Sequence, residues 1–211
     1  MPNPPFNGLY AALIESLNAL NFVEILAKRQ FQRANSSGYS SVVLSVAGRE
    51  PTEIEVFLGI RINLVEELVY QFTNGLRDYG PFSTTLLVSG RKVAPEFPYF
   101  YRLAKEADVH ATKQQILSFL HQYGFPFLDK HQSAKSLDAL YNQEVAQKSF
   151  YVINEFHRAL RGIILAKLAK RPNWEELVEQ YRVKLQKKAL PEVQMQNYEQ
   201  LVNFLKYHSF S

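Results

Sequence analysis

The chain has 211 residues, 46% of them hydrophobic, and a formal net charge of +4. That length is sufficient for one large or two small globular domains, each with a buried core. The absence of cysteine excludes a disulfide framework, a thiol nucleophile and a thiolate metal site.

The positive charge is unevenly distributed along the chain. Residues 1–107 contain ten Lys or Arg and ten Asp or Glu, so the C-terminal half carries the whole excess. This slightly favours an anionic partner for that half, although lysine-rich helical surfaces also serve solubility.

Neither a leader nor a membrane anchor is indicated. The N-terminal sequence lacks a basic leader and has Glu15 within its apolar part, which is not typical of a signal peptide. The apolar run GIILAKLA is shorter than a membrane span and contains Lys167. We therefore predict a cytoplasmic protein without a membrane partner.

The first elements predict a helix followed by strands. Apolar residues recur at helical spacing between Leu9 and Val23, which predicts an amphipathic opening helix. Three strand-like runs separated by turn-forming residues follow, and they predict an antiparallel meander. These runs are ILAKRQFQRAN, YSSVVLSVAG and EIEVFLGIRI.

The third run shows the clearest alternation. One predicted face is entirely aliphatic and consists of Ile54, Val56, Leu58, Ile60 and Ile62. Asn63 and Glu66 then form a capping-box pattern for a helix. After the loop TNGLRDYGP, the segment FSTTLLVSG predicts a fourth strand.

The remainder of the chain is predicted to be helical. One helix ends at Gly124, and the corner FPFL that follows anchors the chain in the core. A long helix covers AQKSFYVINEFHRALRGIILAKLAKR and stops before Pro172. A capping-box pattern of Asn173 and Glu176 opens a helix from Trp174 to Lys188, and Pro191 opens the last one.

The predicted fold class is α+β. A small, mainly antiparallel sheet of three or four strands packs on helices and is followed by a helical C-terminal half. We predict an α+β domain over residues 1–142 and a helical extension over residues 143–211, which either belongs to the same domain or forms its own lobe.

Several segments resemble a bacterial domain family of unknown function with an opening helix, a β-meander and a helical tail. The matching segments are FQR, EVFLGIRI, TTLLVSGR and YGFPFLDKHQSAKSLDALYN. The order of the elements agrees over roughly the first two-thirds of the chain. The resemblance implies this fold and no catalytic residue, and by analogy it suggests an immunity-type or accessory partner.

Catalytic and metal-binding patterns are weak. Glu53 and Glu55 share one strand face and could act as acid and base in a cleft, or form charge pairs with Arg29 or Arg33. No HExxH pattern occurs, and a site made of His121, His131 and Asp129 would need the fold to collect it. We predict no catalytic residue, metal or other cofactor, and lean towards a protein that is not an enzyme.

An aromatic segment is the best candidate for a binding surface. Phe97, Tyr99 and Tyr101 precede Arg102, and aromatic rings beside cations bind proteins or stack on bases. Packing of these rings onto the sheet is the alternative. We predict a protein-binding function through this segment.

A basic stretch near the C-terminus gives the alternative of nucleic-acid binding. Its candidate phosphate-binding residues are Arg182, Lys184, Lys187 and Lys188. Cations also favour a helix C-terminus without any ligand. A third hypothesis, an enzyme acting on a small molecule, uses Glu53 and Glu55.

Overall fold

The computed structural model describes residues 4–25, 29–48, 51–73, 80 and 82–210. The chain divides into two compact units. Unit 1 comprises Met1–Ile60 and Leu87–Lys130, and unit 2 comprises Arg61–Leu86 and His131–Ser211. The boundary predicted after residue 142 falls inside unit 2.

A six-stranded sheet is described, with the order β1-β2-β3-β4-β5 and with β6 paired to β4. Its strands are β1 (Val23–Ile25), β2 (Gln30–Asn35), β3 (Gly38–Ala47), β4 (Thr52–Ile62), β5 (Leu86–Ser89) and β6 (Tyr101–Leu103). The α+β class is confirmed, with more strands than the three or four predicted. The strands β1 and β6 have three residues each, which is too short for an alternating pattern.

The alternation predicted for β4 is confirmed. All five aliphatic residues of its predicted inner face are buried. On the other face Glu53 and Glu55 are partly exposed, whereas Gly59 and Arg61 are buried. The last part of β4 is therefore covered on both faces.

Unit 1 contains the helices α1 (Pro4–Asn18), α3 (Gly90–Val93), α4 (Val109–Phe119) and α5 (Phe125–Lys130). Helix α1 packs against α4 and β1. It begins and ends before the predicted limits of Leu9 and Val23. It ends early because Asn21 adopts a left-handed conformation with φ of 62°, after which the chain enters β1.

The helix predicted to end at Gly124 does not end there. Residues Leu120–Gly124 form a π-helical turn that leads directly from α4 into α5. Gly124 is not in the left-handed region, and Pro126, the second residue of α5, has no N–H to donate to the preceding helical turn. The core-anchor prediction is confirmed for Phe125 and Leu128, which are buried.

Unit 2 is built around one central helix. Its helices are α2 (Asn63–Thr73), α6 (Ala134–Asn142), α7 (Glu155–Leu168), α8 (Trp174–Lys187) and α9 (Glu192–Tyr207). Helix α7 packs against the other four and is buried around most of its circumference. Because α2 packs on α7 and α9, residues before position 142 belong to this unit.

The long helix predicted from the segment AQKSFYVINEF begins later than expected. Asn154 is its N-cap, and the Asn154 Oδ1 atom accepts a hydrogen bond from the backbone N–H of His157 at 3.0 Å. The first nine residues of the predicted helix, 146–154, lie outside regular helix and strand. The helical assignment of that part was wrong because a local cap outweighed the apolar pattern.

The last two helices occur where they were predicted, starting at Trp174 and after Pro191. The capping box of Asn173 and Glu176 is absent, since Asn173 makes no side-chain cap hydrogen bond. Most of the predicted loop TNGLRDYGP and part of the turn REPT lie outside the described residues. None of the described helices is both long enough and apolar enough to cross a bilayer.

Candidate functional site

The aromatic segment predicted to bind a partner is partly buried. The ring of Phe97 lies 5.6 Å from the ring of Phe119 and 5.4 Å from that of Tyr123, centroid to centroid. Tyr101 lies in β6 opposite Ile54, not in a loop, and is 3% exposed. Burial raises the pKa of Tyr101 to about 12. Phe97 and Tyr101 therefore anchor the segment on unit 1.

The other two residues of this segment are accessible. Tyr99 is 43% exposed, and the guanidinium carbon of Arg91 lies 5.2 Å from its ring centroid. Arg102 is exposed, and its Nε atom lies 3.3 Å from Glu53 Oε1. Only Tyr99 and Arg102 of the four predicted residues present their side chains to solvent.

The carboxylates considered for catalysis are partly exposed on the sheet. Arg102 is the register partner of Glu53 across β4 and β6, so their contact is a cross-strand charge pair. The two arginines predicted to pair with these carboxylates form other contacts. Arg33 pairs with Asp129, and Arg29 lies over the ring of Phe6 at 5.3 Å.

No metal-binding cluster is present in the part of the chain that the structure describes. It contains no group of three His, Asp or Glu residues suited to hold an ion. Of the residues considered for such a site, Asp129 is paired with Arg33 and His121 packs edge-on against Phe125 at 5.3 Å. These contacts give both residues structural roles in unit 1.

Two of the four candidate phosphate-binding cations are engaged within unit 2. Arg182 binds Glu199 through two hydrogen bonds of 2.7 and 2.9 Å and also pairs with Glu179. Lys184 Nζ lies 3.0 Å from Glu155 Oε2. Lys187 and Lys188 are exposed. The basic stripe is therefore less available than the sequence indicates.

A buried ion pair connects α2 and α7. Glu66, 2% exposed, accepts hydrogen bonds from Arg161 Nε at 2.9 Å and Nη2 at 2.7 Å. The carboxylate predicted to complete a capping box thus serves as the partner of a buried guanidinium. Burial, reinforced by Arg161, holds the pKa of His157 below its ordinary value.

A loop between α6 and α7, residues 143–154, is fixed by a buried arginine. Arg158 is 1% exposed, and its guanidinium donates to three backbone carbonyls around the start of this loop. The distances are 3.0 Å to the Tyr141 oxygen, 2.7 Å to that of Gln147 and 3.4 Å to that of Glu144. Charge-assisted hydrogen bonds of this kind hold the loop backbone in one position.

Further contacts fix the same loop from its other side. Lys184 Nζ donates to the carbonyl oxygens of Val145 and Gln147, at 2.7 Å each. Ser149 Oγ accepts from the backbone N–H groups of Tyr151 and Val152 at 3.2 and 3.1 Å. The loop is therefore ordered by specific bonds before its apolar part and, through Ser149, within it.

The loop nevertheless exposes two large apolar side chains. Phe150 is 60% exposed and Ile153 is 86% exposed. Phe150 lines a cleft of about 260 Å³ together with residues that include Leu140, Tyr151 and Arg158. Large apolar side chains exposed close together on an ordered loop are typical of a contact surface.

Sequence reasoning missed this loop. The run FYVI continues the apolar character of the following helix, so it was assigned to that helix. The available signals were the β-branched pair Val152 and Ile153 followed by Asn154, a preferred N-cap residue. No residue pattern indicates that an arginine 11 to 17 residues away from its carbonyl partners fixes the loop.

Comparisons with protein-family models, with curated proteins and with solved structures gave no match for this chain. The candidate site is therefore described by its own geometry.

Proposed function

We propose that this protein binds another protein through the loop 143–154, with Phe150 and Ile153 as the apolar anchors of the contact. The observation that carries the proposal is the exposure of both side chains on a backbone fixed by the buried Arg158. The partner presents an apolar pocket or groove that receives them. The proposal keeps the protein-binding hypothesis. It adds a surface in unit 2 to the accessible residues Tyr99 and Arg102 of unit 1.

Exposed apolar groups of this size favour burial. Removing a side chain such as Ile or Phe from water contributes about 1.5–3 kcal/mol. Binding energy in protein interfaces is concentrated in a few such anchors at the centre of the contact. Phe150 and Ile153 lie three residues apart in the same loop and can enter one complementary surface together.

The fixed backbone strengthens this argument. Association usually loses free energy when a mobile loop becomes ordered. Here the bonds from Arg158, Lys184 and Ser149 already order the loop in the unbound chain. More of the apolar contact energy is then available for affinity.

Nucleic-acid binding receives less support from the geometry. Such binding needs several cations that are free to replace counterions at phosphates. Arg182 and Lys184 are held by Glu199 and Glu155. The two remaining lysines, Lys187 and Lys188, offer only a small phosphate-binding surface.

The experiment compares recovery of partners by two tagged variants. Phe150→Ser combined with Ile153→Ser removes both anchors, and Val193→Ser removes a 59% exposed residue of α9 as a matched control. Lysate treated with nuclease is passed over each protein, and recovered proteins are quantified by mass spectrometry. The affinity of the purified partner is then measured by calorimetry.

A partner recovered by the wild type and by Val193→Ser, and bound at least about tenfold more weakly by the double variant, is the expected result. Equal recovery by both variants contradicts the proposal. So does recovery that disappears with nuclease, or recovery of no protein other than a second copy of the chain.

A further inference from the structure

The outer face of α8 has an unusual composition. The core-facing side of this helix consists of Trp174, Leu177, Val178, Tyr181 and Leu185. On the opposite side, Glu176, Gln180, Val183 and Lys187 follow one another at intervals of three or four residues, which makes a single stripe. The stripe lines a cleft of about 410 Å³ with Ala146 at its border.

The middle of this stripe is uncharged and its ends are charged. Val183 is 40% exposed although it lies on the solvent side of the helix. Glu176 lies near the N-terminal end of the stripe and Lys187 at its C-terminal end. Neither forms an ion pair with any residue that the structure describes. Glu176 Oε1 accepts a hydrogen bond from the neutral Gln180 Nε2 at 3.2 Å, so the net charge at each end of the stripe is still not balanced by an ion pair.

The stripe is self-complementary when reversed. Glu176 and Lys187 are equally far from the midpoint between Tyr181 and Arg182, and so are Gln180 and Val183. In an antiparallel pair of identical helices, Glu176 of each copy therefore lies opposite Lys187 of the other. Gln180 and Val183 of the two copies meet in the middle. This is the arrangement that a two-fold symmetric interface requires.

We propose that α8 pairs antiparallel with α8 of a second copy of this chain. The charges at the two ends of the stripe set the register, and at the centre each Val183 packs against the aliphatic part of Gln180 of the other copy. The helix dipole alone favours acidic residues at the start and basic residues at the end. It does not explain an exposed valine between them.

Two further charged residues at the cleft already form contacts within the chain. Lys184 fixes the loop 143–154, and Glu179 pairs with Arg182 on the same helix. The intermolecular ion pairs therefore come from Glu176 and Lys187, which form two equivalent pairs per dimer. Exposed pairs contribute little each, so the dimer is weak and sensitive to salt.

Charge reversal tests the pairing directly. Sedimentation equilibrium at low ionic strength measures the dimer Kd of the wild type, of Glu176→Lys and of Lys187→Glu. Each single reversal places like charges opposite one another twice, so we expect at least about tenfold weaker self-association. Lys206→Glu, the same charge change as Lys187→Glu but at an exposed position of α9, serves as the control for that variant.

A mixture of the two reversal variants gives the sharpest result. One variant then carries two lysines and the other two glutamates on the stripe, so they are expected to form a heterodimer at least as readily as the wild type dimerises. A wild type that stays monomeric up to millimolar concentration overturns the proposal. Single reversals that dimerise like Lys206→Glu, or a mixture that does not associate, also overturn it.

The dimer does not depend on the proposed function, because it uses neither Phe150 nor Ile153. Self-association of the serine double variant separates the two outcomes. A double variant that dimerises like the wild type but loses its protein partner supports both statements, and one that fails to dimerise overturns the independent α8 contact.

Discussion

Units 1 and 2 both contain several helices, but the polar side chains that they bury differ in charge. Among the described residues of unit 1 the buried polar side chains are uncharged, and they are Gln30, Ser40, Ser41, Thr52 and Thr112. The buried charged side chains among the described residues all belong to unit 2, and they are Arg61, Glu66, Asp138 and Arg158. Each of these four has hydrogen-bond partners within unit 2.

The two units also differ in the contacts that fix their backbone. Unit 1 relies on aromatic and aliphatic contacts, such as Phe22 against Phe125 at 5.4 Å. In unit 2, Arg61 and Arg158 donate to main-chain carbonyls of segments without regular secondary structure. Buried charges therefore replace strand pairing as the means of ordering these segments.

The largest effect is expected from removing the charge of Arg158. Arg158→Met removes three hydrogen bonds to backbone carbonyls and leaves the Glu144 oxygen without this donor, whereas Lys184 still donates to the Gln147 oxygen. We expect the free energy of unfolding to fall by about 3 kcal/mol. Arg102→Met in unit 1 removes an exposed pair and is expected to cost less than about 1 kcal/mol. Urea unfolding followed by circular dichroism measures both. Equal losses would show that the buried guanidinium contributes no more than a surface one.

An intermediate effect is expected from glycine replacement. A Cβ atom at Gly162 would lie 2.6 Å from Asn142 Oδ1 and 2.7 Å from the Tyr181 hydroxyl, so Gly162→Ala must displace a buried polar network. We expect a loss of about 1–3 kcal/mol.

The matched substitution in unit 1 is Gly124→Ala. Its nearest neighbour is Leu120 Cδ2 at 3.0 Å, an atom of a side chain that can shift. Since alanine also favours helix, we expect a change within about 1 kcal/mol. Thermal unfolding of both variants decides the point, and a Gly124→Ala variant less stable than Gly162→Ala would reverse the comparison.

The most gradual loss of stability is expected when the pH is raised into the alkaline range. Burial raises the pKa of Tyr141, Tyr181 and Tyr198 above the ordinary value of 10. The folded state thus favours the neutral phenol, and its stabilising contribution is complete below pH 10 and lost as the pH rises above it. The Tyr198 hydroxyl donates a hydrogen bond of 2.8 Å to the Val178 carbonyl oxygen, so ionisation of the phenol also removes that bond.

Unfolding at pH 8 and pH 11 measures this loss. Tyr198→Phe is expected to show a smaller decrease between the two pH values than the wild type, whereas Tyr207→Phe, which changes an 83% exposed ring, behaves like the wild type. An unchanged decrease in Tyr198→Phe would mean that this phenol does not contribute to the pH dependence.

Much of unit 1 could be predicted from the sequence because its signals are local. The alternation in β4 and the apolar corner at Phe125 and Leu128 each depend on a few neighbouring residues. The conformation of the turn before this corner could not be predicted. A glycine that often ends a helix instead continued it at Gly124.

The candidate site was less predictable because its determinants are distant in sequence. The accessible residues Tyr99 and Arg102 lay within a recognisable aromatic segment. The loop 143–154 depends on Arg158 and Lys184, which are identified as loop-fixing only when their partners are known. The same contacts explain why a count of lysines and arginines overestimated the free basic surface.

Because of the π-helical turn at Leu120–Gly124, the direction of the helix faces that follow depends more on the number of residues in this region than on their identity. Such a turn holds one residue more than an α-helical turn, so the chain after it is rotated by about 100° relative to an uninterrupted helix. Deleting one residue there would restore an ordinary helix and direct Phe125 and Leu128 away from the core. In related sequences this stretch is therefore expected to accept exchanges of residues while remaining free of alignment gaps.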